Sequence, residues 1–245
     1  MNSQEYARLE AAEDAMWYFR ALHGHIHRSI KCSFPLRTRL NVLDAGCGTG
    51  GLIRRLGRVE PDWAVRGVDH SGEACGLAER LGTTGVRKAA IEALPFRDGE
   101  FDVAVSADVF YQVEDPAVAL LELHRVLRPG GCLVVTAPAY QWLWSYHDEA
   151  VGGKRRFTRK GLTKLFGANG FDPVRSTHWN ALTLPLVVVR RKWMKPAPGS
   201  GDVAVSSPVV ERAMNAIMAL EAVPIRMGLS WPWGANLLVT GRRRD

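Results

Sequence analysis

Asn41-Val-Leu-Asp-Ala-Gly-Cys-Gly-Thr-Gly50 decides how this chain folds. Val42 and Leu43 open a short apolar strand that ends on an acid, Asp44, and runs into a loop with glycine at 46, 48 and 50. Glycine there lets the backbone turn sharply and lets a ligand approach the main chain with no Cβ in the way. The helix expected over 50–58 points its unpaired N–H groups at the loop, a natural seat for a carboxylate or phosphate.

Outward from that loop, strand and helix patterns alternate, the signature of a doubly wound parallel sheet. Strands are expected near 40–44, 65–69, 86–90, 102–107 and 131–136, and helices near 50–58, 71–81 and 117–127. Asp115-Pro116 opens the third helix with an N-cap acid and a first-turn proline, and Arg128-Pro-Gly-Gly131 ends it. A helix over 159–168, a strand near 171–178 and a last strand over 235–241 complete the pattern. The fold class expected is α/β: a Rossmann-like, seven-stranded, mostly parallel sheet with helices on both faces and a helical insertion before the last strand.

Gly46, Gly48 and Gly51 also satisfy G-x-G-x-x-G, the loop of dinucleotide-binding folds, where an acid about 20 residues later takes the ribose. Asp69, ending Val65-Arg-Gly-Val-Asp69, fills that place under either reading. Asp44 separates the two, because a carboxylate at the strand end repels a pyrophosphate but suits a nucleoside that carries positive charge. The run resembles motif I of the class I S-adenosylmethionine (SAM) methyltransferases. The resemblance extends through most of the chain, is strongest over 41–136, and is closest to the "type 11" branch.

That resemblance implies SAM as cofactor, S-adenosylhomocysteine as product and no metal. It implies methyl transfer to an oxygen or nitrogen, less readily a carbon, of a small or medium organic acceptor by in-line displacement. Gly46, Cys47, Gly48 and Gly50 would cradle the methionine part, Asp44 would meet its ammonium, and Asp69, beside His70, would accept the ribose hydroxyls. Ala90, Ile91 and Glu92 would enclose adenine, with Ala90 standing where the family usually carries an acid. Ser106 and Asp108, at the end of the fourth strand, would line the transfer site together with Tyr111 and Gln112; related chains commonly carry a histidine near 111 or 112. The loop from Pro138 to Thr158 would lie over the acceptor, bringing Tyr140, Trp144, Arg155 and Arg156, with Tyr18 contributed from the leading helix. His147 or Tyr111 would take a proton, and His147–Asp148 is not read as a dyad because adjacent side chains usually diverge. Two other classes share the motif: a SAM-binding regulatory module without turnover, and an NAD-dependent oxidoreductase, which Asp44 argues against.

At 245 residues, 47% hydrophobic and 23% charged, the chain suits one α/β domain over 1–245. The stripe Met16, Phe19, Leu22, Ile26, Ile30 predicts a leading helix; the resemblance implies that residues 1–35 form an N-terminal helical lid over the cofactor, and plain packing on the sheet is the other reading. Residues 179–234 form the insertion, with apolar segments Leu182–Met194 and Val209–Ile225 around a turn-rich Pro196–Asp202, and are read as a substrate cap or dimer surface. Four dispersed cysteines without a C-x-x-C pair suggest reduced thiols and, with no apolar leader, a cytoplasmic protein. A net charge of +7 favours anionic partners. The basic, tryptophan-rich insertion also leaves peripheral membrane contact open. No specific nucleic-acid binding is expected, since neither a Pro-Pro-aromatic motif nor a Pro-Cys pair is present. His23 and His27 lie one helical turn apart but have no patterned third metal ligand.

Overall fold

Every predicted strand joins one sheet in the computed structural model, which describes residues 12–13, 15–193 and 205–245. The elements run α1 (Trp17–Ser33), β1 (Asn41–Ala45), α2 (Gly51–Val59), β2 (Ala64–Asp69), α3 (Gly72–Arg80), β3 (Val86–Lys88) and β4 (Phe101–Ala107). They continue with α4 (Pro116–Val126), β5 (Leu127–Pro138), a 3₁₀ turn (Gln141–Leu143), α5 (Tyr146–Ala150) and α6 (Arg159–Ala168). The chain closes with β6 (Phe171–Trp179), α7 (Leu184–Trp193), α8 (Pro208–Arg226) and β7 (Asn236–Arg243). The expected segments Met1–Ala11, Asp14, Met194 and Pro196–Asp202 lie outside the described residues.

The sheet order is β3-β2-β1-β4-β5-β7-β6. The first five strands pair in parallel, while β7 runs antiparallel between β5 and β6. A dinucleotide fold of order 3-2-1-4-5-6 has no such reversed strand, and the seven-stranded, mostly parallel sheet is the one the resemblance to class I methyltransferases implies. All parallel strands deliver their C-terminal ends to the same edge, where Asp44, Asp69 and Asp108 collect.

Alternation along the strands builds two cores. Leu43, Ala104, Leu133, Val135, Leu237 and Val239 face α4 and α6, packing on Leu120, Leu123, Leu162 and Phe166. Val42, Val103, Val105, Val134 and Leu238 face α1, α2 and α8, packing on Leu22, Ile26, Ile30, Leu56 and Ile225. One boundary departs from expectation: Arg128-Pro-Gly-Gly131 belongs to β5, which begins at Leu127. Pro129 forces the residue before it to stay extended, so the helix stops at Val126 rather than unwinding through a turn.

Candidate functional site

The glycine loop is built around the second strand. Gly46 and Cys47 both donate to the Val68 carbonyl at 2.8 Å, which folds the chain back over the sheet edge. Gly46 has φ +92° and lies so close to Val109 that a Cβ would sit 2.3 Å from its Cγ2. Asp69 is fixed by its own neighbourhood: the N–H groups of Gly48 and Ser71 donate to its two carboxylate oxygens at 3.0 and 2.9 Å. His70 Nδ1 lies 3.4 Å from the same carboxylate. Cys47 is buried, and burial pushes its thiol far up, so it serves as packing and not as a nucleophile.

Asp44 is the unusual member. It is buried, and its Oδ1 has no hydrogen-bond partner among the described residues. Loss of hydration, reinforced by the nearby Glu13 and Asp69 carboxylates, pushes its pKa up to about 8. Glu13 closes the loop from the other side, accepting from Thr49 Oγ1 at 2.5 Å and from Arg54 at 3.3 Å. Above Asp44 opens a cavity of about 290 Å3, walled at this end by Gly46, Cys47, Gly48, Asp69 and His70. A second cavity of about 370 Å3 shares Gly46, Asp69, His70 and Gln112 with it and is lined by Ala90, Ile91 and Glu92. The two form one cleft along the strand ends.

The far end of the cleft is assembled from distant parts of the chain. Tyr18 in α1 donates to Asp108 Oδ2 at 2.6 Å and accepts from Asn236 Nδ2 at 2.9 Å. Thr136 Oγ1 donates to the other Asp108 oxygen at 3.0 Å. Asp108 holds φ +53°, an uncommon conformation for a non-glycine residue, so its place is imposed by this network. Tyr111, Gln112 and His147 line the same end, with Asn180 and Arg191 from the insertion side. Burial raises the Tyr111 phenol above its ordinary pKa, which keeps it protonated. Asp148 is taken up by the loop itself. It caps α5 through Ser145 and forms a buried, two-pronged ion pair with Arg156 at 2.8 and 2.9 Å.

Several expected site residues stand elsewhere. Arg155 lines neither cavity: its guanidinium donates to the Glu114 carbonyl at 2.9 Å on the outside of the loop. Arg156 reaches the cavity wall, but its side chain is engaged by Asp148 and the Ala139 carbonyl, which makes it a strut of the loop. Tyr140 stacks on His178 and shares a 3.0 Å hydrogen bond with it, while Trp144 donates outward to Glu149 at 3.4 Å. Ser106 is fully buried within β4, and Gly50 turns toward Thr83; none of these four lines either cavity. His23 is buried beside the cavity, and desolvation drops its pKa to about 3, whereas His27 pairs with Glu60 at 2.8 Å; the two diverge. No cluster of three or more metal-ligating side chains occurs among the described residues. Glu13, Trp17, Asn180, Arg190, Arg191 and Asn236 line the cleft without having been singled out from the sequence.

Residues 43–135 match the family model described as a methyltransferase domain. Over this segment the chain is similar to the methyltransferase family. A 37.1 kDa protein encoded in a transposon of Streptomyces fradiae is 34% identical over 184 residues, 72% of this chain and 53% of that protein. A methyltransferase of Mycobacterium tuberculosis, named as uncharacterized, is 37% identical over 169 residues, 69% of this chain and 61% of its own length. The chain thus spans about half the length of the curated relatives it matches. Among solved structures, the methyltransferase in complex with the Trm112 methyltransferase activator of Haloferax volcanii superposes with TM-score 0.65 at 21% identity, covering 99% of this chain and 95% of that one. At that identity the likeness is one of fold.

The site's own chemistry fits the family's cofactor. SAM carries an ammonium and a sulfonium, and the cleft sets a buried carboxyl group with one unpartnered oxygen, Asp44, beside a second, Asp69, that main-chain N–H groups hold in place. Asp44 would disfavour a pyrophosphate, whereas an acid at Asp69 suits the ribose of either ligand.

Proposed function

We propose that this protein is a SAM-dependent methyltransferase acting on an oxygen or nitrogen of a small or medium organic acceptor. The observation that carries the reading is Asp44, a buried carboxylate whose Oδ1 lacks a partner at the floor of the cleft. Leaving such a group unsatisfied costs about 1–3 kcal/mol or more, a cost that a bound cation reverses. When bound, SAM supplies a methyl group on a cationic sulfur, open to attack from the side opposite the S–C bond.

The chain's own residues then have distinct tasks. Asp44 meets the ammonium, Asp69 accepts the ribose hydroxyls, and the main chain of Ala90 and Ile91 with the Glu92 segment encloses adenine. Gly46 keeps the main chain low enough for the ligand to pass. The Tyr18–Asp108–Thr136–Asn236 network seals the acceptor end and fixes its polar edge, so that much of the rate comes from alignment. Tyr111 stays protonated and serves as a donor to the acceptor. His147 is the group on this wall suited to removing a proton from a hydroxyl or amine. The leading helix acts as lid and α7 as the acceptor-side cap, with Trp17, Val187 and Arg191 forming the walls.

Calorimetric titration with SAM, S-adenosylhomocysteine and NADH tests the reading. Binding of both adenosyl ligands, weakened at least about 100-fold in Asp69→Ala, is expected from the loss of two charge-assisted hydrogen bonds. Binding of NADH alone would overturn the proposal. Binding of SAM with no product from any nucleophile tried, and a closed acceptor end, would favour the regulatory reading.

A further inference from the structure

Helix α8 is apolar on two sides, and among the described residues one is buried and the other exposed. Met214, Met218 and Ile225 face inward and are buried. A second stripe, Val209, Ala213, Ala216, Leu220, Val223 and Met227, follows steps of four and three residues and is exposed, with Leu220 at 66% and Met227 at 73%. Helix α7 repeats the arrangement on a smaller scale. It contributes Val187 and Arg191 to the cavity wall, while Leu186, Val189 and Trp193, at i, i+3 and i+7, are exposed, Trp193 at 73%. Leu229 and Trp233 extend the exposed apolar surface beyond α8.

Charge says what such a surface fits. Both acids among the described residues of the insertion are turned inward. Glu211 accepts from the main-chain N–H groups of Trp17 and Ser206 at 2.7 and 3.0 Å. Glu221 accepts from those of Asn180, Ala181 and Leu182, the last two at 2.7 and 2.9 Å. The exposed ionic side chains on α7 and α8 are therefore all cationic: Lys192, Arg212 and Arg226, with Arg190 at the mouth of the cleft. An exposed apolar stripe flanked by cations and tryptophans is the composition of a helix that lies in a membrane interface. No described helix is long and apolar enough to cross a membrane, so the helices would rest on the surface. A second copy fits less well, because pairing this face with itself would set Arg212 and Arg226 against their own kind with no exposed carboxylate on either described helix to answer them.

We infer that the α7–α8 insertion docks on the surface of an anionic lipid bilayer, with the α8 stripe dipping into the headgroup region. The inference rests on the outer faces of the insertion and stands apart from the assignment of the cleft.

Co-flotation of the full chain with vesicles tests it, using phosphatidylglycerol–phosphatidylcholine mixtures against phosphatidylcholine alone in about 0.1 M salt. The expected result is partitioning at least about tenfold stronger onto the anionic vesicles. Arg212→Glu with Arg226→Glu should abolish that preference, and Leu220→Ser with Met227→Ser should lower binding to both compositions by about tenfold or more. Circular dichroism and SAM titration on the same variants should be unchanged, which separates loss of docking from loss of fold or of the cofactor site. Equal binding to both vesicle types, or binding to neither, overturns the inference. So does a concentration-dependent dimer in sedimentation that the serine variants dissolve, which would assign the face to a second copy.

Discussion

The two ends of the cleft are built on different plans. At the β1–β2 end, Gly46, Gly48, Asp44 and Asp69 lie within 26 residues of one another, and main-chain hydrogen bonds position the loop and Asp69. At the acceptor end, Tyr18, Asp108, Thr136 and Asn236 converge from across the chain, and each is held by another side chain. The first end is a backbone shape that any ligand of the right charge can enter. The second is a mutual arrangement of side chains, and under the proposed function acceptor choice would reside there.

The largest effect expected from breaking one plan without the other comes from Arg156→Met. Removing one partner of the buried Arg156–Asp148 pair should cost about 3–5 kcal/mol of unfolding free energy, read from urea denaturation. If the ends are independent, SAM affinity of the folded variant stays within about threefold of the parent. A larger loss would show that the loop 138–158 supports the cofactor end as well.

Asp44→Asn should separate stability from binding. An acid raised to about 8 from an ordinary value near 3.8 contributes stability that is full below the ordinary pKa and lost as pH rises through about 8. The ligand-free variant should therefore be more stable than the parent near neutral pH, by roughly a few kcal/mol, while SAM binding falls by about tenfold or more. In the parent, a bound cation restores the carboxylate. Close to one proton should leave Asp44 per SAM bound near neutrality and almost none well above pH 8, as read by calorimetry in buffers of different ionisation enthalpy. Proton release that persists in the variant would move the effect to another group.

Tyr18→Phe is the mildest change. Losing its hydrogen bonds to Asp108 and Asn236 should cost about 0.5–1.5 kcal/mol, appearing in kcat/KM for the acceptor with SAM affinity little altered. A selective loss of SAM affinity would place Tyr18 on the cofactor side of the division.

This contrast also explains what could be read in advance. Strand order, the glycine loop and the acids at the strand ends are consequences of local pattern, and the seven strands fall where alternation and turn residues put them. Arg155 and Arg156 show the limit: both are adjacent cations in one loop, yet one faces the Glu114 carbonyl and the other a buried aspartate. Glu13, Glu211 and Glu221 are each buried and satisfied by groups that tertiary packing brings close. Nothing within a few residues of them signals that outcome.

The hydrogen bond between Tyr18 and Asn236 joins positions 218 apart in the chain. During synthesis, the glycine loop and its acids can take shape long before β7 leaves the ribosome, whereas the acceptor end cannot. A nascent chain lacking β7 would have the sheet-edge loop but an open far wall, with Tyr18 short of one of its two partners. Contacts this remote are slow to form, so closure of that wall would be a late folding event. Methyl-donor affinity and acceptor turnover would be acquired at different moments in the life of each molecule, the second only when the final strand has slotted between its two neighbours.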